Sequence, residues 1–343
     1  MKKILTLLII TVFIAGVCGG CAAASKTAAG EKNRLQIVTT IFPEYDWVRE
    51  ILGDKKENTD VKMLLDNGVD LHSYQPTADD VLAIAGCDMF IYVGGESDAW
   101  VEEALKEAVN KDMVVVNLLE ALGDSVKTEE IVEGMEHDHE HEDEDHDHEH
   151  EEESDEHHDH EHEEESDEHV WLSLKNASLL CKVITDGLAK LDPDNALSYR
   201  SNCDAYIKKL DSLDKQYSKV VENANSKTLL FADRFPFRYL TDDYGLSYYA
   251  AFAGCSAETE ASFETIVFLS GKVDELGLTS IMTIEGSDGK IANTIRENTK
   301  TKDQKILTLD SMQSTTSRDV TAGATYISIM ESNLEVLRKG LGK

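Results

Sequence analysis

Basic residues are scarce: 33 Lys and Arg stand against 67 Asp and Glu, for a formal net charge of −34. A chain so acidic repels polyanions, so nucleic acid is excluded as a partner. Proline is rarer still, with four in 343 residues, and aromatics make up 7%, which leaves an ordinary globular body and no proline-rich segment. Histidine is missing from nearly the whole chain: ten of the twelve sit in one stretch, and the other two are His72 and His169. Outside that stretch there is no helical His-x-x-x-His pair, so the donor pattern of common zinc hydrolases is lacking.

What is there starts with that stretch, residues 136–168, which contains 21 acids, ten histidines, two serines and nothing else. Without an apolar side chain to bury and with strong self-repulsion, it cannot offset the entropy of ordering, and a disordered, solvated insertion is expected. Its imidazoles, His137, His139, His141, His146, His148, His150, His157, His158, His160 and His162, are spaced closely enough to share divalent cations. Residues 151–157 recur as 163–169, a duplication that suits a surface element tolerant of length. Removing the 21 acids leaves −13, a moderately acidic body.

The N-terminus has Lys2 and Lys3 before an apolar run at 4–17, too short to span a bilayer comfortably, then Cys18-Gly19-Gly20-Cys21. This is similar to a bacterial lipoprotein signal, with Cys21 the expected lipidated residue because a small residue precedes it, and Cys18 the alternative. The expected product is a body outside the cytoplasmic membrane, tethered through the leash at 22–33. Cys181 and Cys203 lie eleven residues either side of Asp192 in Leu191-Asp192-Pro193, a helix stop and restart, so two antiparallel helices could bring them together as a disulfide. Cys87 and Cys255 are expected to be free, buried thiols in different lobes.

Strand patterns at 36–40, 61–65, 89–93 and 114–117 alternate with helices at 45–52, after the Thr77 cap and at 100–109. Long helices continue the chain at 172–190 and 196–221. A second alternating set has strands at 228–232, 247–252, 280–284 and 306–309, helices at 262–276 and 291–299, and one closing helix at 320–341. Alternation argues parallel sheets covered by helices, so the fold class is α/β with two lobes and a ligand cleft between them. The expected divisions are a signal at 1–21, a tether at 22–33, a lobe at 34–135, the acidic insertion at 136–168, a linking helix at 169–191 and a second lobe at 192–343.

Three residues fall at strand exits or at the linking helix: His72, His169 and Asp310, two imidazoles and a carboxylate of the kind zinc accepts. Around them stand Leu71-His72-Ser73-Tyr74-Gln75-Pro76, Asp88 with Val93-Gly94-Gly95-Glu96, Glu168-His169-Val170-Trp171-Leu172 with Asn176, Leu191-Asp192-Pro193 with Tyr199 and Asn202, Phe237-Arg238-Tyr239-Leu240 with Tyr244-Gly245-Leu246, and Leu309-Asp310. In that order they resemble the zinc and manganese solute-binding lipoproteins of bacterial ABC importers. The resemblance implies two Rossmann-like lobes joined by a long linking helix and a metal cleft between them. It also implies a monomer that delivers Zn²⁺, with Mn²⁺ the alternative, to an ABC-importer permease. His72, His169 and Asp310 match its ligands. At the third ligand position stands Arg234, which cannot ligate a cation. Asp233 in a slipped register, Glu258 or Glu260 of Glu258-Thr259-Glu260, or Glu285 could substitute, or water could, and Arg234 is expected to pair with Asp310 or Glu260. Alternatives from other classes are a zinc hydrolase and a surface adhesin or metal buffer whose working part is the acidic stretch.

Overall fold

The computed structural model describes residues 34–136, 165–256 and 260–342. Cys18, Cys21, Glu258 and the ten histidines of the acidic stretch lie outside the described residues. Two runs of strand and helix build two sheets. The first contains β1 (Leu35–Thr39), α1 (Phe42–Leu52), β2 (Thr59–Met63), α2 (Ala78–Gly86), β3 (Met89–Tyr92), α3 (Val101–Lys106), β4 (Val114–Asn117) and α4 (Leu118–Leu122). Helices α5 (Leu174–Leu191) and α6 (Ala196–Glu222) come next. The second run contains β5 (Thr228–Arg234), α7 (Arg238–Tyr244), β6 (Ser247–Phe252), α8 (Phe263–Leu276), β7 (Ser280–Ile284), α9 (Lys290–Asn298), β8 (Lys305–Leu309), α10 (Ser317–Thr321) and α11 (Tyr326–Gly340).

The strand orders are β2-β1-β3-β4 and β6-β5-β7-β8, the same order used twice. The pairings of β1 with β3, β3 with β4, β5 with β6 and β7, and β7 with β8 are parallel. Parallel strands covered on both faces need apolar runs rather than alternation. Met89, Phe90 and Ile91 of β3 and all five residues of β7 are accordingly buried. In each sheet the order reverses beside its first strand, and loops leaving the carboxyl ends there form the natural binding crevice.

Several local signals act as the sequence suggests. Thr77 caps α2, accepting from the Asp80 amide while the Asp80 carboxylate accepts from the Thr77 amide. Asp192 ends α5 and accepts from Tyr199 Oη at 2.8 Å and Asn195 Nδ2 at 2.7 Å, which pins the hairpin to α6. The apolar face of α5, with Leu174, Ala177, Leu180, Cys181, Ile184 and Leu188, is buried at helical spacing. Gly187 lets this helix approach the first sheet, since a Cβ there would lie 2.7 Å from Met89 Cε.

Three expectations are corrected. The closing helix is two helices, α10 and α11, because Gly323 at φ 106° and the Thr325 cap break the pattern. The end of the acidic stretch is not solvated: Asp167 and Glu168 are 1% and 2% exposed, and Ser166 bridges antiparallel to Thr128. The fold takes both acids out of water, at a desolvation cost that hydrogen bonds only partly offset. Cys181 and Cys203 are both buried and free. The helices are antiparallel, but Cys203 meets the Thr185 side chain, one turn on from Cys181. Among the described residues no helix is long and apolar enough to cross a membrane.

With no bridge to break, reductant is expected to leave the melting temperature unchanged. Alkylation of the unfolded, unreduced protein should recover both Cys181 and Cys203 as thiols by peptide mass mapping, and a linked peptide would restore the disulfide.

Candidate metal centre

His72 lies on a tight turn, Leu71–Ser73, that comes after β2 and is capped by Asp70, whose Oδ1 accepts from the His72 amide at 3.0 Å. Buried Leu71 anchors the turn, and the His72 ring lies beside that of His169, 5.2 Å between centroids. His72 Nδ1 meets Ser97 Oγ at 2.7 Å and lies 3.5 Å from Glu168 Oε2. Ser97 is held in turn, its amide donating to Glu168 Oε1 at 2.9 Å. Gly95, at φ +80°, is needed here, because a Cβ on it would overlap the Glu168 carboxylate.

His169, fully buried, precedes the turn Val170–Leu172 that leads into α5. Its Nδ1 sits 3.1 Å from Asp167 Oδ1, the oxygen that also accepts from the His169 amide at 2.9 Å. Both Nδ1 atoms are thus engaged by oxygen, and the two Nε2 atoms face each other at 3.2 Å. Tetrahedral zinc with Zn–N bonds of about 2.0–2.1 Å would hold two nitrogens about 3.3 Å apart. The pair has that spacing already.

A third donor approaches from the other lobe. Donor atoms of His72, His169 and Cys255 all lie within 4.8 Å of one another, and Cys255 comes just after β6. Its backbone is fixed by donation from the Cys255 amide to Glu129 Oε1 at 2.9 Å. The preceding Gly254 lets the segment close, since a Cβ there would lie 2.9 Å from the Phe235 carbonyl and 3.0 Å from His169 Cε1.

Of the residues singled out from sequence, His72 and His169 meet, and Asp310 is not in this group. Asp310 ends β8 and accepts from the Met312 amide at 2.8 Å. Glu285 is occupied elsewhere, its carboxylate accepting from the Ser311 amide at 2.7 Å, Ser311 Oγ at 2.6 Å and the Gln313 amide at 3.1 Å. Asp233 accepts from the Arg234 amide and Glu260 is exposed. Arg234 pairs with neither Asp310 nor Glu260: its Nη2 lies 2.6 Å from Asp70 Oδ2. The acid that caps the His72 turn is nearer to that guanidinium, and joins the lobes through it. Sequence reasoning missed Cys255, Asp70, Asp167 and Glu168. The legible sign for Cys255 was its place just past a strand's carboxyl end, the same criterion that singled out Asp310.

Residues 37–340 match the profile of the family described as ZnuA, zinc-uptake complex component A, periplasmic. The chain is 31% identical over 340 residues to the zinc-binding lipoprotein AdcA of Streptococcus pneumoniae, covering 99% of this chain and 61% of the relative. It is 30% identical over 329 residues to the high-affinity zinc uptake system protein ZnuA of Bacillus subtilis, covering 96% and 94%. Among solved structures, the Zn(II)-bound ZnuA-like domain of Streptococcus pneumoniae AdcA superposes with a TM-score of 0.68 at 29% identity, covering 90% of this chain and 100% of that one. The chain spans 56–61% of the length of the AdcA relatives it matches.

The electrostatics suit a cation. Burial, then the neighbouring His169, lowers the His72 pKa to about 3, so its ring stays neutral at physiological pH with a lone pair to offer. Burial would raise Asp70, but the hydrogen bond and charge of Arg234 hold it below the usual carboxylate range. Burial pushes the Cys255 thiol up, reinforced by Glu129, Glu168 and Asp167, the same acids whose field favours a cation. Burial likewise raises Asp98 and Glu285 to about 7, with Gly94 and Ser311 hydrogen bonds only partly opposing it.

Unfolded, those two carboxyls titrate near 4, so between about pH 4 and 7 the folded state holds more protons, and stability falls as pH rises through 7. From pH 6 to 8 the loss is about 1.4 kcal/mol for each group. His72 works the other way, its folded value lying below the unfolded one, but offsets less than about 1 kcal/mol in that window. Scanning calorimetry in chelator is expected to show a melting temperature several degrees lower at pH 8 than at pH 6. Equal values would mean that Asp98 and Glu285 titrate normally.

Proposed function

The chain belongs to the ZnuA family of zinc-uptake components, and from that membership and the facing imidazoles we propose that it is an extracytoplasmic receptor delivering Zn²⁺ to an ABC-type permease. The observation that carries the reading is the 3.2 Å separation of two Nε2 atoms whose opposite nitrogens are both tied to oxygen. Oxygen partners at both Nδ1 atoms suit the tautomers whose Nε2 lone pairs face inward to a cation. Zinc is favoured over manganese because nitrogen donors suit it, whereas manganese prefers more oxygen.

In this reading Zn²⁺ enters hydrated and exchanges waters for His72 and His169. The carboxylates of Asp167 and Glu168 balance its charge through the rings. Asp310, on the opposite lobe, is the carboxylate assigned to one of the two remaining positions. Ligands from separate lobes make affinity sensitive to small lobe movements, which gives docking on a permease a way to release the ion. The ten histidines of the acidic stretch act as a weak collecting antenna, and a lipid on Cys21, or on Cys18, holds the receptor at the membrane surface. A receptor turns over no ester, peptide or phosphate substrate, which separates it from the hydrolase alternative.

Chelator competition on protein lacking residues 137–164 is expected to show one tight Zn²⁺ per chain. His72→Ala or His169→Ala should weaken it by more than the roughly 10–100-fold typical of a lost supporting contact, and Asp310→Asn by less than either. Absence of a saturable site in the shortened protein would overturn the reading. Cells carrying His169→Ala should fail to grow only when zinc is scarce.

A further inference from the structure

In the receptor reading, the expected third ligand position falls to an arginine that turns away to Asp70. Resting on that reading, we propose that Cys255, as a thiolate, is the third protein donor, so that the cleft takes thiophilic cations of the Zn²⁺, Cd²⁺ and Co²⁺ kind and rejects Mn²⁺. Its sulfur, His72 and His169 form the group whose donor atoms lie within 4.8 Å of one another. Zn–S of about 2.3 Å and Zn–N of about 2.0–2.1 Å would put sulfur about 3.6 Å from each nitrogen, so modest closure completes the shell.

Cys255 is also placed unlike the other described cysteines. Cys87, Cys181 and Cys203 are buried and belong to no such donor group, whereas Cys255 is partly exposed and grouped with two imidazoles. The segment is held by the Glu129 carboxylate on its amide and by the closeness of Gly254 to the His169 ring. Arg234 contributes indirectly. Asp70 Oδ1 lies 4.0 Å from His72 Nε2, and the guanidinium occupies the other oxygen of that carboxylate at 2.6 Å. An acid next to the site is therefore already paired, and a thiolate supplies the negative charge a dication needs. On binding, the Cys255 S–H bond breaks, its proton passes to solvent water, the sulfur lone pair forms the metal bond and a coordinated water leaves. No oxidant or reductant is involved.

Soft donors raise affinity for zinc-like ions but not for manganese, which prefers carboxylate and water oxygens. The test is Co²⁺ loading of the full chain. Thiolate-to-cobalt charge-transfer absorption in the near ultraviolet is expected with one thiolate per protein. Imidazoles and carboxylates of the acidic stretch give no such band. Cys255→Ser should abolish it, leave visible tetrahedral bands from the remaining ligands and weaken Zn²⁺ binding at least about tenfold. Excess Mn²⁺ should not displace the cobalt. On unaltered protein, stoichiometric Cd²⁺ should protect Cys255 from iodoacetamide by peptide mapping, a measurement independent of any variant's folding. Cobalt bound in the cleft without the band, a band that survives Cys255→Ser, or alkylation unaffected by Cd²⁺ would overturn the assignment and leave the receptor standing. Failure of the cleft to bind any of these ions would instead overturn the receptor itself.

Discussion

Two buried carboxylates set the terms for everything around them. Asp167 and Glu168 are 1% and 2% exposed, and among the described residues no lysine or arginine pairs with either. Removing a carboxylate from water is costly unless hydrogen bonds or a counter-charge compensate. Asp167 receives the amide and ring of His169, and Glu168 receives the Ser97 amide while its Oε2 has no hydrogen-bond partner. That oxygen lies 3.5 Å from His72 Nδ1. The two imidazoles therefore stand between these buried carboxylates and the point where their Nε2 atoms converge. In the receptor reading, a divalent cation held at that point is the counter-ion to both carboxylates.

The fold delivers these groups by repetition. Each sheet has the same strand order, and the residues discussed leave strand carboxyl ends: the His72 turn after β2, Gly95 and Ser97 after β3, Arg234 on β5, Cys255 after β6, Asp310 after β8. Trp171, just before α5, is bound to the second lobe, and Tyr326 there donates its amide to Asp46 of the first at 2.9 Å. The Trp171 indole donates to the Ser311 carbonyl at 2.8 Å, and the Trp171 carbonyl accepts from Tyr326 Oη at 2.6 Å. His169 is two residues away, with its ring 5.3 Å from the indole, so this imidazole shares the anchoring. Bonds that hold the lobes together here also hold the site.

Local chemistry was legible in the sequence, and long-range register was not. Thr77 announced a cap, Asp192-Pro193 a helical hairpin, and apolar runs parallel strands, because each depends on neighbours a few positions away. His72 and His169 were singled out by scarcity and by the words around them, although 97 positions separate them. The disulfide failed because two helices correctly read as antiparallel still have a register, and this one sets Cys203 against Thr185. Asp167 and Glu168 were hidden by composition: they end an acidic repeat whose spelling gives no sign that these two are buried. Cys255 was hidden for the opposite reason, since a lone cysteine after a strand has the same spelling whether it packs or binds.

Arg234 is the position where resemblance alone would have misled. A guanidinium in a ligand position suggests a weakened site. The distances give it a different task. Asp70 caps the turn that carries His72, and an unpaired carboxylate there would attract any proton or cation away from the imidazole lone pair. Paired with Arg234 at 2.6 Å across the lobes, Asp70 keeps its capping bond, loses its net charge and gains a fixed position. The bidentate-capable fork of arginine suits this better than lysine would, because it can span Asp70 and the Ser256 carbonyl, 3.5 Å from Nη1, at once. The substitution therefore takes a donor from the expected place while steadying both the turn of His72 and the segment of Cys255, the two pieces that must approach each other for an ion to be held.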